Sequence, residues 1–77
     1  MTDLQPHQQR VVDEKSELDV KIVALTAFIY GNPLHAGLDM DEQDRLAAQL
    51  SVMAEYSDIL AARIYNFNPP TPRQRSP

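Results

Sequence analysis

Two long stretches free of proline and glycine dominate the chain. The first covers residues 7–30 and the second residues 40–67; Gly31, Asn32, Pro33 and Gly37 stand between them. Proline removes a backbone donor and glycine adds backbone entropy, so their absence leaves each stretch free to run as one helix. In the first stretch Val11, Leu18 and Leu25 recur every seven residues, as do Lys15, Ile22 and Ile29. In the second, Leu46, Leu50, Met53, Ser57, Leu60, Ile64 and Phe67 follow a 4-3 spacing that only Ser57 makes polar. This is the seam of paired amphipathic helices.

The ends of the stretches carry matching signals. Pro6 suits the first turn of a helix, where its missing N–H costs nothing. Asp13, Glu14 and Glu17 lie early in the first helix, and Glu17 and Lys21 have the spacing of an i,i+4 ion pair. Asp39 and Glu42 have the spacing of a capping box at the start of the second helix. Pro33 and Gly37 bracket room for one short turn, and Leu34 and Leu38 are placed to cover the end of the core. The expected architecture is all-α. A five-residue arm (1–5) precedes an antiparallel two-helix hairpin over residues 6–67. Its helices run over 6–30 and 40–67, joined by the connector 31–39. Residues 68–77, with four prolines, Arg73 and Arg75, read as an extended or disordered tail.

Size then makes a demand. At 77 residues with no cysteine, the chain has one small core and no disulfide to reinforce it. Val52, Tyr56 and Ile59 form a second apolar stripe beside the seam of the second helix, and Val12, Val23 and Phe28 lie off the seam of the first. Surplus apolar surface of this kind marks an interface. Hairpins are therefore expected to pack side by side as a homo-oligomeric bundle. The candidate interface positions are Val52 and Ile59 from the stripe, with Leu18, Leu25, Met53 and Leu60 from the seams.

Most chemistry is excluded by what is missing. There is no phosphate-cradling glycine loop and no metal-ligand spacing; His7 and His35 fall in separate regions. Asp41, Glu42 and Asp44 read as dipole-compensating acids of a first helical turn. Ser57 lacks an evident His or Asp partner and reads as a small residue allowing close helix approach. No catalytic set, metal or cofactor is expected. Seven basic residues against eleven acidic ones give a net charge of −4. Without Arg73 and Arg75 the helical part stands at −6, which repels a polyphosphate. Nucleic-acid binding is not expected, and the acids are too scattered for DNA mimicry. No apolar run approaches a membrane span and no signal peptide is evident, so the cytoplasm is the expected location.

One pattern on the second helix suggests a ligand. Gln49, Tyr56 and Arg63 recur at seven-residue intervals in a single line. Tyrosine stacks on a base, arginine holds a phosphate through two donors, and glutamine reads a base edge. Arg10 and Lys21 on the first helix are candidates for the same site. The plainer reading keeps Tyr56 in an oligomer interface and pairs Arg63 with a nearby acid such as Asp58.

These residues also carry a resemblance. The run His7-Gln8-Gln9-Arg10-Val11-Val12-Asp13-Glu14-Lys15-Ser16-Glu17-Leu18-Asp19 resembles the opening of a family of very small tailed-phage helical proteins, including ones from crAss-like phages. The likeness continues through Leu25-Thr26-Ala27-Phe28-Ile29, Leu38, Glu42-Gln43 and Leu46. It closes with Gln49, Met53, Tyr56, Leu60, Arg63 and Ile64. It covers roughly residues 5–67 and implies a viral origin and a helical hairpin. In size and plan the chain is also similar to the anti-CBASS and anti-Thoeris helical-hairpin sponges. Those oligomerise and hold cyclic-nucleotide immune signals between protomers. No motif of theirs is matched here, so this second likeness is one of architecture. Together they imply a cytoplasmic anti-defence protein of an infected bacterial host cell. It would sequester a cyclic nucleotide second messenger without cleaving it; the contacts expected, from the line on the second helix and from neither resemblance, are Tyr56 and Arg63, with Gln49 and Arg10 secondary. The alternative is a hairpin that binds and disables a host protein through its Val52/Tyr56/Ile59 stripe.

Overall fold

The structure, a computed structural model, describes residues 4–67. Helix α1 spans Pro6–Gly31, the single turn α2 spans Pro33–Ala36, and α3 spans Met40–Tyr65. The two long helices have 26 residues each, about 39 Å at 1.5 Å per residue, and lie antiparallel. The expectation for the proline-rich tail, and for the first residues of the arm, lies outside the described residues.

Local chemistry sets the boundaries. At the start of α1 the Gln5 N–H donates to Gln8 Oε1 at 2.8 Å. Helix α1 takes in Gly31 and stops at Asn32, which is extended at φ −105° and ψ 122°. Pro33 dictates this, because its ring disfavours helical backbone at the residue before it. The Asn32 side chain then accepts the Leu34 N–H at 2.9 Å and caps α2. Helix α3 is capped by Asp39, which accepts the Glu42 N–H at 2.8 Å. The return half of the expected capping box is not made: Glu42 Oε1 accepts from Arg45 Nε at 2.8 Å instead. Helix α3 ends at Tyr65, two residues before the expected Phe67. Asn66 stops it by turning its side-chain amide back onto the Ala62 carbonyl at 2.7 Å.

The core sits along the seam and is thin. Val11, Leu18 and Leu60 are buried, with Leu60 fully enclosed at 0 % exposure. Ile22, Met53, Ile64 and Phe67 pack partly buried around them. Leu18 and Leu60 are thus already buried within the single hairpin. Leu25 and Met53 are half-buried, while Val52 and Ile59 are exposed. Leu38 half-covers the connector end, but Leu34 does not; it is 70 % exposed because the α2 turn points it outward. Gln43 ties the connector down, donating to the Leu38 carbonyl at 2.9 Å. Among the described residues, no helix is long and apolar enough to cross a membrane.

Candidate functional site

The seam fixes where every other side chain lies. Gln49, Tyr56 and Arg63 each precede a seam position of α3 (Leu50, Ser57 and Ile64), so they form one flank of the hairpin. On α1 the corresponding residues before Lys15, Ile22 and Ile29 are Glu14, Lys21 and Phe28. In an antiparallel pair these two sets share a side: reversing one helix inverts the sense of its wheel, and turning it to face its partner inverts it again. Arg10, one turn before Glu14, lies on this side too. The candidate residues Arg10, Gln49, Tyr56 and Arg63 therefore share one flank, joined by Lys21, Glu14 and Glu17.

Height along the hairpin divides them. The Ser57–Asp19 contact sets the register, which puts Arg63 level with residue 13 and Tyr56 level with residue 20. Arg10 and Arg63 are then about 4.5 Å apart in height, and Tyr56 lies about 10 Å from Arg63 along α3. Gln49 sits roughly 25 Å from the level of Arg10. The register thus brings Arg10 and Arg63 together near the open end, sets Tyr56 at mid-hairpin about 15 Å in height from Arg10, and leaves Gln49 toward the connector. No single small ligand touches all four in one chain. Gln49 instead directs its amide to Met53 Sδ at 3.7 Å.

Two properties of this cluster bear on ligand binding. Tyr56 is 39 % exposed, so its ring face is available. Among the described residues, Arg10, Lys21 and Arg63 form no ion pair. The pairing of Arg63 with Asp58 or an acid of the first helix is therefore absent, and its guanidinium keeps its donors for another acceptor. Glu14 and Glu17 on the same flank keep the site from being a uniform cationic patch. An anion there must be held by directed hydrogen bonds rather than by net charge.

Across the seam lies a polar contact that sequence reading missed. Ser57 is buried, and its hydroxyl donates to Asp19 Oδ1 at 2.6 Å. Lys15 Nζ donates to Asp19 Oδ2 at 2.6 Å. Ser57 does have an acidic partner, and the ion pair of α1 is Lys15–Asp19 rather than the expected Glu17–Lys21. The signal was present: Lys15 is the one charged residue at a seam position of the first helix, and Ser57 the one polar residue of the second. Their wheel positions face, and Asp19 lies one turn after Lys15. The Lys15 and Ser57 donors both favour the ionised carboxylate and lower the Asp19 pKa below its usual 3.8. The trio is an inter-helix tie, without the imidazole that would activate a serine.

Elsewhere the chemistry is sparse. His35 packs edge-on against Phe28, ring centroids 5.8 Å apart, and its Nε2 is enclosed without a partner. Among the described residues, no cluster of His, Cys, Asp or Glu is arranged to hold a metal ion.

A family model described as Sequestin matches residues 5–66, and the chain belongs to that family. No curated protein and no solved structure matches it.

Proposed function

We propose that this Sequestin-family chain is a phage-encoded binding protein that sequesters a cyclic nucleotide second messenger of host defence, without cleaving it. The family's name speaks of holding a molecule, and the matched span takes in both long helices. The observation that carries the reading to this chain is the set of unpaired cations, Arg10, Lys21 and Arg63, on the flank that also exposes Tyr56 at mid-hairpin. Tyr56 offers a stacking face for a base, while Arg63 and Arg10 offer donors to phosphate oxygens. Gln49 serves a ligand only where a second copy brings it close. The hairpin is expected to act as a homo-oligomer, with the site lying between copies in the host cytoplasm.

Arg63→Ala tests this reading. Calorimetric titration with cyclic di- and trinucleotides is expected to show binding by the natural chain and none by the variant, at unchanged oligomer mass. The ligand released by denaturation should be chemically intact. Loss of assembly in the variant would assign Arg63 to structure instead.

One observation favours a second reading. Val52 and Ile59 are 62 % and 59 % exposed in the single hairpin, a surface suited to a host protein. An oligomer that leaves this stripe accessible to an apolar dye, and binds no nucleotide, would move the assignment there.

A further inference from the structure

Among the described residues, the Ser57–Asp19 contact is the one hydrogen bond that joins α1 directly to α3. The other seam contacts are apolar, and apolar attraction has no direction. Seam side chains repeat every seven residues, so packing alone admits more than one alignment. Sliding α3 by one heptad toward the connector brings Ser57 level with residue 26 and pairs like with like again. Ile22 meets Leu60 in place of Met53, Ile29 meets Met53 in place of Leu46, and Leu18 meets Ile64 in place of Ser57. Val11 loses its partner and Leu25 trades Leu50 for Ser57. The slide therefore costs little more than one apolar pair.

Chain continuity does not forbid it. The slide sets the facing ends of α1 and α3 roughly 20 Å apart, and the connector 32–39, drawn out, reaches about 26 Å. That would unwind α2, which holds no buried side chain. What separates the two alignments is polar. In the observed one, Asp19 accepts from Ser57 and from Lys15, each at 2.6 Å. In the shifted one, Ser57 exchanges this carboxylate for the Thr26 hydroxyl, a neutral and weaker acceptor that itself donates to the Ile22 carbonyl at 2.7 Å. Asp19 would then lie against Ile64.

We propose that the Ser57–Asp19 hydrogen bond is a register lock, which makes Asp19 and Ser57 the positioning residues of the ligand flank. A polar group in an apolar helix seam fixes alignment in this way, at a cost in stability relative to an apolar residue. The consequence falls on the side chains beside the seam. In the observed register Arg63 lies about 4.5 Å in height from Arg10, and Tyr56 about 1.5 Å from Lys21. One heptad on, these separations become about 15 Å and about 9 Å. The two arginines part, and Tyr56 stands beside Phe28. The lock itself needs no ligand; only its use at the flank rests on the proposed function.

Moving the serine tests the lock. The double variant Ser57→Ile with Ile64→Ser keeps the composition and carries the serine one heptad along, where only the shifted alignment brings it to Asp19. Methyl nuclear Overhauser contacts in the full chain report the register, with far-UV circular dichroism as the folding control. The natural chain is expected to show a Val11–Leu60 cross-peak, as its core packs. The double variant is expected to lose that cross-peak and strengthen Ile22–Leu60, since Leu60 moves level with residue 23. A folded double variant that keeps the Val11–Leu60 cross-peak overturns the proposal, because apolar packing then sets the register. Ser57→Leu is the second arm, and it decides alone if the double variant unfolds. It completes the apolar seam, so it is expected to melt no lower than the natural chain. Its Val11 and Leu60 methyls are nonetheless expected to give two sets of signals, one for each alignment. A single set with the natural cross-peak undiminished overturns the proposal as well. Neither arm uses a nucleotide, so a chain that binds none counts against the proposed function and leaves these outcomes intact.

Discussion

The two ends of the hairpin are built differently. At the open end Val11 and Leu18 of α1 close over Leu60 of α3, and the Lys15–Asp19–Ser57 tie bridges the helices beside them. At the connector end Leu25, Ile29, Leu46 and Leu50 hold the same seam positions but are only half-buried. The connector already joins the helices covalently there, so less packing is needed to keep them together. The open end has no such link and must be held by side chains. The same end carries Arg10 and Arg63, with Tyr56 toward mid-hairpin, so the candidate site borders the best-packed part of the molecule.

The sharpest way to break this comparison is Leu60→Ala. Removing a fully enclosed leucine costs about 2–5 kcal/mol, comparable with the whole stability of so small a core. Thermal melts followed by circular dichroism should show the hairpin largely unfolded; a loss under about 1 kcal/mol would mean that the open end is not the anchor. Leu25→Ala, the same change at a half-buried connector-side position, should cost about 2 kcal/mol or less, at or below the bottom of the range for buried leucines. Equal losses at the two positions would erase the difference between the ends.

Ser57→Ala comes next, with an expected cost of about 1 kcal/mol for a hydrogen bond to a partly solvated carboxylate. Its second readout is the Asp19 titration. The folded pKa of Asp19 lies below the unfolded value, so its contribution is present above pH 3.8 and is lost as pH falls through the lowered pKa. Urea unfolding of the natural chain should weaken over that acid range, and Asp19→Asn should remove this part of the dependence. In Ser57→Ala the Asp19 carboxyl resonance should titrate at higher pH than in the natural chain. An unmoved titration would show that Lys15 alone sets it. The smallest effect on stability belongs to Arg63→Ala, within about 0.5 kcal/mol, because the side chain is exposed and unpaired. Its expected consequence is confined to the loss of ligand.

Helices, seam and turn were all legible in the sequence, because heptad spacing and the Gly31-Asn32-Pro33 break each act locally. Three details were not. The end of α3 at Tyr65 depends on the Asn66 side chain competing for a helical carbonyl, a contest that periodicity does not register. Glu42 turned to Arg45 rather than back to its own N-cap, because an i,i+3 ion pair was within reach. The Asp19–Ser57 tie joins residues 38 apart in sequence, and only the pairing register brings them together. For the candidate site, the seven-residue line was correct as a line, yet it hid a length of about 21 Å from Gln49 to Arg63. Spacing alone gave the side of the helix. The antiparallel register was needed to bring Arg10 to Arg63 and to set Gln49 apart.

The most direct test of the account is native mass spectrometry of the full chain mixed with a panel of cyclic di- and trinucleotides. The account predicts a discrete oligomer that retains one of them, releases it unaltered on denaturation, and loses it in Arg63→Ala. An oligomer that retains none of the panel, or a chain that stays a bare monomer throughout, would contradict it.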